Sequence, residues 1–255
     1  MTNTGHICKN CGHSFIGNHC NNCGQKLAHR LDSKHIAHEL VHVFTHTDKG
    51  IFSFIPMILL RPGTLALEYV EGRRKRYFNM FQYLILVVGV ITFIMSKTNY
   101  MENMMETFNL STEKSSARVA AVSARINGVI QQYFNLFLFA LIPVFSFFSW
   151  LFFKAKKYNY AENFVLQAAI QAQITTISLF TLPISLLLGK QFQGIMMIIS
   201  LVVLVACNTI ANRQFFKVSG LQAFFKGLLV YICTNIVEII VVAIAVYILA
   251  INYKK

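Results

Sequence analysis

The sequence predicts an all-α integral membrane helical bundle of about five transmembrane helices, preceded by a small zinc ribbon and an amphipathic helix. Three observations predict it. Of the 255 residues, 55% are hydrophobic and 13% charged, where an ordinary soluble domain carries about 25% charged residues. Apolar runs of near-spanning length occur at 81–95, 129–153, 164–188, 195–211 and 227–251. Ahead of them stand two copies of a Cys-x-x-Cys-Gly knuckle. The expected organisation is a zinc ribbon at 1–30, a cytosolic membrane-proximal segment at 31–80 and a transmembrane domain at 81–255, with an extracytoplasmic loop near 97–125.

The ribbon rests on Cys8-Lys9-Asn10-Cys11-Gly12 and Cys20-Asn21-Asn22-Cys23-Gly24. Each knuckle turns two thiolates toward one centre, and the trailing glycine supplies the left-handed backbone that such a turn requires. Cys8, Cys11, Cys20 and Cys23 thus form a closed tetrahedral set for structural Zn²⁺, with iron the chief competitor for four sulfurs. The first twenty residues hold Cys pairs and no apolar run, so no secretory signal is expected, and a reducing cytosol favours metal thiolates over disulfides. Phe15 and Ile16 are the expected core residues of this small unit, whose folding free energy must come mostly from the metal. Cys207 and Cys233 lie within apolar runs and read as packing residues.

Asp32 or Ser33 can cap a helix running to about Thr47, with Gly50 placed to stop it. Ile36, Leu40, Val43 and Thr47 share one face, and His35, His38, His42 and His46 form a stripe nearly opposite. Within that stripe His38-Glu39-Leu40-Val41-His42 matches His-Glu-x-x-His, in which two imidazoles hold catalytic zinc and the Glu acts as general base. No third ligand stands at a diagnostic spacing. An accessory metal or pH-sensing site, and a polar face turned to headgroups, are the competing readings.

Ile51–Leu60 is apolar but too short to cross, and is expected to lie in the interface or dip into the bilayer. After Arg61-Pro62-Gly63, the run Arg73, Arg74, Lys75 and Arg76 directly precedes the first long apolar run. Such a cluster orients the first span and attracts anionic headgroups at about 1 kcal/mol per cation.

Several of these segments resemble a family of bacterial membrane proteins of unknown function, common in Bacteroidota, that carry an N-terminal zinc ribbon. The matching residues are Cys8-x-x-Cys11-Gly12, Cys20-x-x-Cys23-Gly24-Gln25-Lys26, His46-x-Asp48-Lys49-Gly50, Arg61-Pro62-Gly63 and Tyr69-x-x-Gly72-x-Arg74-x-x-Tyr77. The resemblance covers roughly the first third of the chain. It implies a bacterial cytoplasmic membrane and supplies no activity. Relatives carry a proline near the position of Met80 and histidines near the start of a later span. This chain instead offers Asn163, Gln167, Gln171 and Gln173 there, so any metal or proton chemistry of those histidines is expected to be lost.

Orientation follows from the cations. With the N-terminus in the cytosol, the head and the second and fourth connections hold sixteen Lys and Arg, against seven on the other side. That bias predicts N-inside and C-outside, with Lys254 and Lys255 weighing against it. The same Lys/Arg excess accounts for the net charge of +13, so no nucleic-acid partner is expected. Pro143 and Pro183 should kink their helices without ending them. Met101, Met104, Met105 and Phe108 suggest an amphipathic helix on the outer surface, with a plain loop as the alternative.

Glu238 is the acid deepest within an apolar run, with Asn235 on the same side, and Gln167, Gln171, Thr175 and Ser178 form a stripe along the third run. An intramembrane acid marks a functional or structural partner, whereas amide stripes often do no more than join helices. The leading expectation is a non-enzymatic module that docks a protein partner, or another copy of itself, through the ribbon and basic segment. The alternatives are a carrier or channel using Glu238 and the stripe, and a membrane-bound zinc metallohydrolase using His38, Glu39 and His42.

Overall fold

The computed structural model describes residues 5–33, 36, 50–98 and 138–252. The histidine stripe with His38, Glu39 and His42, and the methionine-rich stretch at 101–108, lie outside the described residues. Within them the chain has two short strands, β1 (His6–Ile7) and β2 (Ser14–Phe15), and seven helices. These helices are α1 (Ile51–Leu60), α2 (Pro62–Val70), α3 (Met80–Lys97), α4 (Leu138–Phe152), α5 (Tyr160–Leu188), α6 (Gln193–Phe216) and α7 (Gly220–Asn252).

Four helices, α3, α5, α6 and α7, are long and apolar enough to cross a membrane. The bent pair α1 and α2 makes a fifth if it counts as one span. α4, within the second apolar run, is shorter, and the part of that run before residue 138 lies outside the described residues. Helix starts are capped as their residues require. The Asn79 side chain accepts from the amides of Phe81 and Gln82 at the head of α3, at 2.9 and 3.3 Å. At α5, Asn159 and Glu162 form a reciprocal capping box, each side chain accepting from the other's amide at 2.8 Å. α5 runs on through Pro183 to Leu188 and α4 passes Pro143, as a helix supported by neighbours can.

The sequence expectation for the last connection needs correction. α7 begins at Gly220 rather than near 227, so Lys226 is a helical residue and not a loop cation. Its ammonium donates to the Phe152 carbonyl at 2.9 Å and lies over the Phe153 ring. Arg213, counted with the fourth connection, is likewise helical, because α6 extends to Phe216. Phe153 stacks on Phe216 with centroids 3.9 Å apart and planes at 4°, which joins the end of α4 to the end of α6. α6 and α7 cross closely at Gly227, where an added Cβ would meet the Asn212 and Asn208 side chains at 3.0 and 3.2 Å.

α1 packs against the other helices, and the axis turns by 110° into α2 at Arg61. Phe54, Ile58, Leu65 and Ala66 are buried in the same core as α3 and α5. A turn packed among buried helices leaves the last carbonyls of one helix and the first amides of the next to be satisfied by neighbours. Helices α5 and α6 supply partners. Gln214 of α6 accepts from the Gly63 amide at 3.0 Å and donates to the Leu60 carbonyl at 3.2 Å. Gln173 of α5 donates to the Leu59 carbonyl at 2.7 Å. Pro62 takes the first helical position of α2, where no amide hydrogen is needed. Gly63 is required by space, because a Cβ there would collide with the Ala211 carbonyl oxygen.

Candidate metal centre and its anchorage

The two knuckles repeat one backbone pattern. Cys8 N donates to His13 O and Gly12 N to Cys8 O, both at 2.9 Å, while Cys20 N donates to Gln25 O at 2.9 Å and Gly24 N to Cys20 O at 2.7 Å. Gly12 and Gly24 take the left-handed conformation, at φ 75° and 68°. The Sγ atoms of Cys8, Cys11, Cys20 and Cys23 all lie within 4.8 Å of one another. Cys8–Cys23 and Cys11–Cys20 are separated by 3.6 Å, and the cysteines are free thiols. Four thiolates about 2.3 Å from a tetrahedral ion stand about 3.8 Å apart, so the cluster fits a bound metal and leaves no position open for substrate.

Burial pushes the Cys8 thiol up to about 11, whereas the backbone amide of His13 is the main cause holding Cys11 down at about 6. Cys11 is exposed and Cys8 buried.

Ile16 corrects the sequence expectation for the ribbon core. Phe15 is buried with Cys8 and Cys20, but Ile16 is 62% exposed. Neighbouring residues on a strand point to opposite faces, so both could not enter one small core, and Leu27 packs there instead.

The ribbon is fastened to the helices by its own chain. Gln25 donates Nε2 to the Gly72 carbonyl at 2.7 Å, and its Oε1 accepts from the amides of Arg74 and Lys75 at 3.2 Å. A Cβ at Gly72, whose φ is 102°, would meet the Lys9 and Ala28 side chains at 2.7 and 3.0 Å. Arg30 grips Glu162 of α5 through two bonds of 2.8 and 3.0 Å and donates to the Lys157 carbonyl at 3.0 Å. That carboxylate raises the pKa of the guanidinium further. Asn159 donates to the Leu31 carbonyl at 2.8 Å. Nothing in the spacing of the sequence marks Gln25, Arg30 or Glu162 as site residues, although Gln25 sits in the motif that follows the second knuckle.

The basic run has mixed partners. Arg73 lies 2.7 Å from Glu71 and 3.8 Å from Glu68. Arg74 donates to the His29 carbonyl at 2.9 Å and covers the Tyr69 ring, and Arg76 covers the Tyr77 ring. Burial, then Glu68, pushes the Tyr77 phenol up.

Among the intramembrane polar residues, Gln171 donates to Thr175 at 3.3 Å. Gln167 is buried, and its Nε2 has no hydrogen-bond partner among the described residues. Asn235 donates to the Tyr231 carbonyl of its own helix at 2.8 Å. Glu238 on α7 does not line the cavity beside Gln171 and Thr175.

A family model described as "Protein of unknown function (DUF3667)" matches residues 48–93. That range holds the bent pair, the Gly72–Arg74 seat of the ribbon and most of α3. No curated protein matches the chain, and no solved structure does.

Proposed function

We propose that this protein is a non-enzymatic membrane module that docks a protein partner through a zinc ribbon held at the cytosolic face of a bacterial cytoplasmic membrane. The carrying observation is the way the ribbon is mounted. Gln25, Arg30 and Asn159 tie one side of it to the helices, while Ile7 and Ile16 on the hairpin are 73% and 62% exposed. In the β1–β2 register Ile7 pairs with Ser14, which places Ile7 and Ile16 on the same face. Two exposed branched apolar side chains on a rigid mount suit the apolar centre of a small interface. Residues 5–29 carry Lys9 and Lys26 and no acid, which favours an acidic surface around that centre. Zinc in the four-cysteine site is structural in this reading and shapes the hairpin that is offered.

Cross-linking in native membranes with mass-spectrometric identification tests the proposal. Recovery of a protein, of another kind or a second copy, that is lost in Ile7→Ser, Ile16→Ser while metal content is kept is the expected result. Failure to recover any protein partner would sink it.

A further inference from the structure

α5 carries two polar faces. At 100° per residue Gln173 and Thr176 share one side, and Gln171, Thr175, Ser178 and Ser185 share the other. The first side is consumed by the fold. Gln173 supports the bend through Leu59, and Thr176 bonds Tyr83 of α3 at 2.8 Å. The second side faces a cavity of about 220 Å³ bounded by α3, α4, α5 and α6. Gln171, Thr175, Ser178, Thr181, Ser185 and Ser200 supply its polar wall, and Ile91, Met95 and Leu138 part of its apolar one. Ser185 is 4% exposed, and its hydroxyl has no hydrogen-bond partner among the described residues. A buried hydroxyl left without a partner is destabilising, and no hydrogen bond to a described neighbour accounts for this one.

We infer that this cavity is a binding site, at membrane depth, for a small uncharged solute rich in hydroxyl or amide groups. Its described lining has six hydrogen-bonding side chains and no Asp, Glu, Lys, Arg or His. An ion leaving water needs an opposite charge or a ring of free carbonyls, and the described lining brings no charged side chain to the cavity. A polyol or urea needs only donors and acceptors, which the hydroxyls and Gln171 provide in both senses. The volume equals roughly seven waters at about 30 Å³ each, enough for a solute of glycerol size. This inference does not involve the ribbon, so its success or failure is independent of the docking proposal.

The test is flux into vesicles reconstituted with the full chain. Glycerol- and urea-driven volume recovery, followed by light scattering, should exceed that of protein-free vesicles, with no added potassium conductance. Ser185→Ala should slow glycerol by about five- to ten-fold, the worth of about one hydrogen bond. Ser178→Leu, which fills the cavity, should return flux to the protein-free rate. Retained metal and an unchanged elution profile show that each variant is folded. Protein-free rates for both solutes in the parent, equal rates in parent and Ser178→Leu, or potassium conductance in place of solute flux would each overturn the assignment.

Discussion

Gln25 and Gly72, 47 positions apart, are joined by a 2.7 Å hydrogen bond from the Gln25 amide nitrogen to the Gly72 carbonyl. The other end of the same side chain accepts from the amides of Arg74 and Lys75. One buried amide therefore closes three backbone groups of a turn and fixes the metal knuckle to the helical body.

Replacing Gln25 tests that joint. Gln25→Ala leaves a carbonyl and two amides to find new partners, and each net hydrogen bond contributes about 0.5–1.5 kcal/mol. Amide exchange at residues 72–75 is expected to quicken markedly, while metal content is unchanged because no ligand is touched. Unchanged exchange would show that the joint contributes nothing to holding the ribbon.

The bend between α1 and α2 depends on Gly63 and Gln214. Gly63→Ala places a methyl group against the Ala211 carbonyl, and overpacking of this kind costs about 1–3 kcal/mol. Gln214→Leu strips partners from Gly63 and Leu60, again at about 1–3 kcal/mol. Thermal unfolding in detergent should shift downward for both. Gly89→Ala, where a Cβ meets nothing within 4 Å, should be neutral or stabilising because alanine is the better helix former.

Zinc stoichiometry checks the ribbon. Protein purified without added metal should hold one tightly bound zinc per chain, and changing Cys8, Cys11, Cys20 and Cys23 to Ser should remove it. Chelation should also expose the 24–30 segment to protease, because the knuckles lose the ion that folds them. Zinc retained in the four-serine variant would mean that other residues are its ligands.

His38, Glu39 and His42 separate the enzyme reading from the surface reading. A hydrolase needs both imidazoles and the carboxylate about a second zinc. On the docking proposal, Glu39→Gln fully complements a deletion strain and elemental analysis finds no second zinc. A second zinc that disappears in His38→Ala, His42→Ala, joined to failed complementation by Glu39→Gln, would overturn that ranking.

The sequence by itself determined the features that depend on neighbours in the chain. Ligand spacing at Cys8, Cys11, Cys20 and Cys23 and the glycines after each pair specify the knuckles, because a turn is a local geometry. Four of the five apolar runs specify long helices, because apolar length is read directly from composition. Tertiary structure alone decided what each polar side chain does. Gln173 and Gln171 stand two positions apart in one stripe-like segment, yet one supports the α1 bend and the other faces a cavity. Gln214 serves a turn about 150 positions away, and Glu162 receives Arg30 across 132. An amide or a carboxylate has the same hydrogen-bonding groups wherever it stands. Which distant backbone end it meets is set by the packing of helices, and the periodicity of one helix does not encode that.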